Sequence, residues 1–88
     1  MSSELMLAKE YCILVFKSTH HAMAAEKAAI EGGLEHIIVP TPTAITASCG
    51  LAIKLREHDL DIAMELLNTK GIGTFQPYKI NEQEIVRL

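Results

Sequence analysis

Residues 11–17, YCILVFK, constrain the fold more than any other stretch of this sequence. Cys12, Leu14 and Phe16 fall on one parity and Tyr11, Ile13 and Val15 on the other, so the run is apolar on both faces of an extended chain. Its β-branched and aromatic content favours a strand in the middle of a sheet. The remaining elements are therefore expected to assemble around it.

Ser18-Thr19 supplies an N-cap, Ala22, Met23, Glu26, Ala29 and Ile30 follow at helical spacing, and Gly32-Gly33 offers a stop, which predicts a helix over residues 20–31. Residues 36–39 (HIIV) form a short strand ended by Pro40 and Pro42, neither of which can donate to a ladder. Leu51, Ile53 and Leu55 alternate with Ala52, Lys54 and Arg56, the period of a strand with one buried face. Asp59 can cap a second helix over 60–69, where Leu60, Ala63, Met64 and Leu67 share a face and Gly71 suits a left-handed terminus. Residues 74–80 (TFQPYKI) read as a last strand, with Pro77 pointing to an edge, and 81–88 as a polar tail.

The order βαββαβ predicts an α+β, ferredoxin-like fold: an antiparallel sheet carrying both helices on one face. With 88 residues, 49% of them apolar, the chain suits a single domain over 1–88, with a core from about 11 to 80 and terminal segments at 1–10 and 81–88. A formal charge of −3 with interspersed signs gives no footprint for nucleic acid or an anionic membrane. Neither a leader of signal-peptide length nor a run long enough to span a bilayer is present, so a soluble, cytoplasmic protein is expected. A small domain of this kind gains from self-association. Tyr11, Ile13, Val15 and Ala52 are candidates to line an open sheet face in a homodimer.

The chemistry concentrates at one loop. TPTAITASCG, residues 41–50, is longer than a connection between two strands requires, and it ends in a thiol. In the expected topology the start of the strand after Gly50 lies beside the end of the first strand. Cys49 then falls near Ser18, Thr19, His20 and His21. These residues open a helix whose unpaired N–H groups favour a thiolate. Ser48 and Gly50 flank the thiol, and His20 or His21 could activate it. The plainer alternatives are a small residue packed at a loop exit for Cys49 and a solvated first turn for the histidines. Cys12 begins the central strand at the opposite end and reads as a core residue, so a disulfide between the two is disfavoured. His36 and His58 also fall at that far end, and no metal site or cofactor motif is assembled. Glu26, Lys27, Glu57, Asp59 and Asp61 read as solvated faces and caps.

The segment ILVFKSTHHAMAAEKAAIEGGLEHIIVPTP followed by SCGLAIKL resembles the putative Se/S carrier protein-like family. The resemblance spans about residues 11–80. It rests on the strand ending in Phe16, the AMAAEKA helix, the Val39-Pro40 exit, Cys49-Gly50 and the second amphipathic helix. The resemblance implies a protein that holds sulfur or selenium on Cys49 as a persulfide or selenosulfide, with donor and acceptor proteins as partners. One departure stands out: where a basic residue is expected after Pro40, this chain has Thr41. The alternative function is a non-catalytic small-ligand-binding or protein-interaction module. A stand-alone enzyme fits less well, because paired carboxylates, metal ligands and nucleotide motifs are lacking.

Overall fold

The computed structural model describes residues 3–45 and 50–88. Its elements run α1 (Ser3–Leu7), β1 (Tyr11–Phe16), α2 (Thr19–Glu31), β2 (Ile37–Pro40), β3 (Leu51–Leu55), a 3-10 turn (Glu57–Asp59), α3 (Leu60–Thr69), β4 (Phe75–Ile80) and β5 (Ile85–Arg87). The five strands form one sheet in the order β2-β3-β1-β4-β5, with every neighbouring pair antiparallel. The fold is α+β and β1 is central, as its two apolar parities require. A short helix before β1 and a fifth strand after β4 make the layout more than a bare βαββαβ unit.

One face of the sheet carries both longer helices. Cys12, Leu14, Phe16, Ile53 and Leu55 pack there against Ala22, Ala25 and Ala28 of α2 and Ala63 and Leu67 of α3. Four alanines form the buried side of α2. Their small side chains let the helix lie close over Phe16 and Leu14, while Met23 and Ile30 point outward at 63% and 64% exposure. Both helices end in the same way. After α2, Leu34 N–H donates to Ala29 O and Gly33 N–H to Ile30 O; after α3, Ile72 N–H donates to Leu67 O and Gly71 N–H to Asn68 O. Gly33 and Gly71 take the left-handed φ that this motif needs, at +67° and +77°. The start of α3 differs from expectation, because Asp59 lies in helical backbone and makes no side-chain cap. The preceding 3-10 turn does that work, with Asp59 N–H donating to Arg56 O.

The other face is also covered, which corrects two expectations. Ile13, Val15, Ala52 and Ile80 are buried there together with Ile45 from the loop after β2. Lys54, on the same parity as Ala52, is only 7% exposed. Its Nζ donates to Met6 O at 3.2 Å and sits 4.1 Å from the centroid of the Tyr11 ring, so it ties α1 to this face. β3 is therefore covered on both faces rather than one. Tyr11, Ile13, Val15 and Ala52 do not form the open surface on which a homodimer was expected.

β4 is not an edge strand, since β5 lies outside it. Pro77 O accepts Leu88 N–H at 3.1 Å. The N and O of one strand residue point the same way, so the missing proline donor faces β5, whose paired residues reach only to Tyr78. The presumed tail turns back because Asn81 Oδ1 accepts the N–H groups of Gln83 and Glu84 at 2.8 and 2.9 Å, and Asn81 N–H donates to Glu84 O.

Candidate functional site at the start of α2

The antiparallel register sets Val15 opposite Ala52 and, at the other end of the same ladder, Cys12 opposite Leu55. The start of β3 thus lies beside the end of β1, from which the chain runs directly into α2. Ser18 is the N-cap in extended backbone, and its Oγ accepts His21 N–H at 3.2 Å. The same Oγ lies 2.8 Å from His21 Nδ1, so the hydroxyl both caps the helix and holds the ring. The His20 and His21 rings meet edge to face, 6.1 Å between centroids. Thr19 and His20 are exposed and His21 is half-buried. No acidic residue stands in the first turn of α2. The positive end of a thirteen-residue helix is therefore not offset from within the helix.

The loop opposite this turn is closed at its base. Thr41 N–H donates to Gly50 O at 2.9 Å, directly beyond the pair Pro40–Leu51. Gly50 is exposed. Ile45 N–H donates to Pro42 O at 3.0 Å, turning the chain so that the Ile45 side chain enters the second face of the sheet. Ser48 and Cys49 lie outside the described residues. Of the anticipated group, the structure brings Ser18, Thr19, His20 and His21 together on one helical turn and fixes Gly50 at the loop base. Ile45 was not anticipated as part of this arrangement. Its signal in TPTAITASCG is that it is the one large apolar residue.

Cys12 behaves as the sequence suggests. It is fully buried, and burial pushes its thiol up, with the Glu57 carboxylate adding to the shift and Lys79 opposing it. Such a thiol is protected from reaction in the folded protein. At the same far end, His36 Nδ1 is bonded to Leu34 O, and Arg56 pairs with Glu35 at 2.7 Å, an interaction that holds the Glu35 carboxyl below the usual range. A shallow groove of about 730 Å³ begins at His20 and runs along the outer side of α2 past Met23, Lys27 and Ile30. No helix among the described residues is long and apolar enough to cross a membrane.

A model of the family described as putative Se/S carrier protein-like matches residues 11–79. The chain belongs to that family. The match runs from β1 to the penultimate residue of β4 and takes in the whole loop, leaving α1 and β5 outside it. No curated protein and no solved structure matches the chain.

Proposed function

We propose that this member of the family carries sulfur or selenium on Cys49 and passes it between partner proteins in the cytoplasm. The observation that carries the reading is the family match over residues 11–79, a span holding two cysteines, of which Cys12 is sealed in the core. Cys49 is left as the carrier. One peptide bond, about 3.8 Å between α-carbons, joins it to Gly50. Gly50 lies at the end of the sheet where α2 starts, which supports reading Ser18, Thr19, His20, His21, Ser48 and Gly50 as the residues that serve the carrier thiol. The unpaired N–H groups of that helical turn favour the thiolate over the thiol. We also read the βαββαβ core as ferredoxin-like, extended by α1 and β5.

The chemical step is a displacement. The Cys49 thiolate attacks the terminal sulfur of a donor persulfide, R–S–S⁻. A bond forms between Cys49 Sγ and that sulfur, the donor S–S bond breaks, and R–S⁻ leaves with the electron pair. The product is a Cys49 persulfide, with no net oxidation or reduction and no proton left over. A donor carrying selenium in place of the terminal sulfur gives the selenosulfide by the same route. An acceptor thiolate reverses the step on the far side.

The test is to incubate the folded protein with a small-molecule persulfide and follow intact mass. A gain of one sulfur atom is expected in the wild type and in Cys12→Ala, and no gain in Cys49→Ser. Equal loading of Cys49→Ser would contradict the reading.

A further inference from the structure

The sheet is bounded by β2 on one side and β5 on the other, and these two edges are not alike. Thr41 N–H donates to Gly50 O, so on β2 the alternate residues Ile37 and Val39 face β3, while Ile38 and Pro40 turn their main-chain groups outward. Pro40 brings no donor to that edge, which weakens it as a template for a further strand. On β5 the alternation runs the other way. Asn81 N–H donates to Glu84 O and Leu88 N–H to Pro77 O, so Glu84, Val86 and Leu88 face β4. Ile85 and Arg87 therefore direct both N–H and C=O away from the sheet. β5 holds no proline, and Ile85, Val86 and Leu88 are 38%, 38% and 51% exposed along it. Its one charged side chain does not guard the edge, because Arg87 Nη2 donates to Gln76 Oε1 of β4 at 3.1 Å and is drawn back over the sheet.

We propose that the β5 edge is a self-association surface, on which β5 of a second copy of this chain pairs antiparallel about a two-fold axis at Val86. The pattern of outward groups selects that occupant. Ile85 and Arg87 flank Val86, so in this register Ile85 meets Arg87 of the second copy and Arg87 meets its Ile85, and each opposed pair exchanges both main-chain bonds. Val86 meets its own equivalent at the axis, where opposed side chains come closest. The donors, acceptors and apolar groups of one edge are thus complementary to themselves, as a two-fold interface requires. Pairing of β5 with β2 of another copy lacks this fit: it meets the missing donor of Pro40 and leaves further edges open. The contact is short, so the dimer forms in a concentration-dependent way. It is independent of the carrier reading, since β5 lies outside the residues matched by the family model.

The experiment is sedimentation velocity on the full chain from micromolar to millimolar concentration, paired with amide hydrogen exchange at the two extremes. The wild type is expected to pass from monomer to dimer, and the Ile85 and Arg87 amides to exchange at least about tenfold more slowly when concentrated. The Val86 amide, which faces β4, should exchange alike at both. Ile85→Pro removes only an outward donor from each copy and is expected to weaken association at least about tenfold. Val86→Glu keeps every main-chain donor and sets a carboxylate opposite Lys79 of its own chain but opposite a like charge across the axis, so it is expected to weaken association severalfold. Retained protection of the Val86 amide in Ile85→Pro, and of the residue 86 amide in Val86→Glu, would show that β5 is intact in both. A wild type that stays monomeric at millimolar concentration overturns the proposal. So does a dimer whose Ile85 and Arg87 amides gain no protection, which would place the interface elsewhere, or one that Val86→Glu leaves unchanged.

Discussion

The two faces of the sheet are built differently. On one, long side chains from β1 and β3 meet continuous helices, and alanines let α2 lie flat over Phe16. On the other, the cover is pieced together from a five-residue helix, a buried lysine and one isoleucine from a loop. The first face depends on elements with periodic patterns of their own. The second depends on isolated side chains whose neighbours are exposed: Met6 and Leu7 beside Leu5, Thr43 and Ala44 beside Ile45. The contrast separates stability from adaptability, because a patchwork cover opens locally at a smaller cost than a packed helix.

The largest test of this contrast is a pair of truncations. Phe16 is 1% exposed and packs against Phe75 with the rings tilted at 55°, 6.3 Å between ring centroids. Phe16→Ala is expected to cost about 3–5 kcal/mol in denaturant unfolding. Leu5 is equally buried, yet Leu5→Ala should cost about 2 kcal/mol or less, because α1 can detach and the site need not persist as a cavity. Equal costs would mean that the second face is as integral to the fold as the first.

A smaller effect sharpens the same comparison through pH. Burial holds the Lys54 ammonium below the usual lysine range. The folded protein therefore releases this proton before the unfolded chain does. In the alkaline window between the folded value and the ordinary lysine value the unfolded state binds more protons, and stability rises with pH. Lys79 acts in the opposite sense, because its hydrogen bond to Glu57 raises its value and its contribution is lost as pH rises through it. The Lys54 effect is thus read as a difference: Lys54→Met should remove an alkaline gain that the wild type shows. Parallel stability curves for the two proteins would show that the ammonium is not desolvated beneath α1.

Periodic features were readable before the structure. The doubly apolar β1, the Ser18 cap, both glycine-terminated helices and the antiparallel neighbours β1 and β3 all follow from local rules that tertiary contacts reinforce. What escaped was aperiodic. Leu5 stands in a short segment too brief to show a helical moment, and β5 depends on one side chain, Asn81, closing a turn. Lys54 reads as a solvent residue by its charge, and its burial depends on two partners remote in sequence, Met6 O, 48 positions away, and the Tyr11 ring. The site was legible in the same uneven way. The α2 start was visible in STHH, whereas a single isoleucine in a loop carries no periodicity to show that Ile45 is buried against the second face of the sheet.

The most direct measurement of the central claim uses the two cysteines as each other's control. The alkylation rate of each is followed against pH by peptide mapping of the folded protein. The account predicts that Cys49 reacts with a midpoint clearly below the ~8.5 of a free thiol, and that this advantage is lost on unfolding. Cys12 should remain unmodified until the protein unfolds. An ordinary or raised midpoint for Cys49, unchanged by unfolding, would contradict an activated carrier thiol at the start of α2.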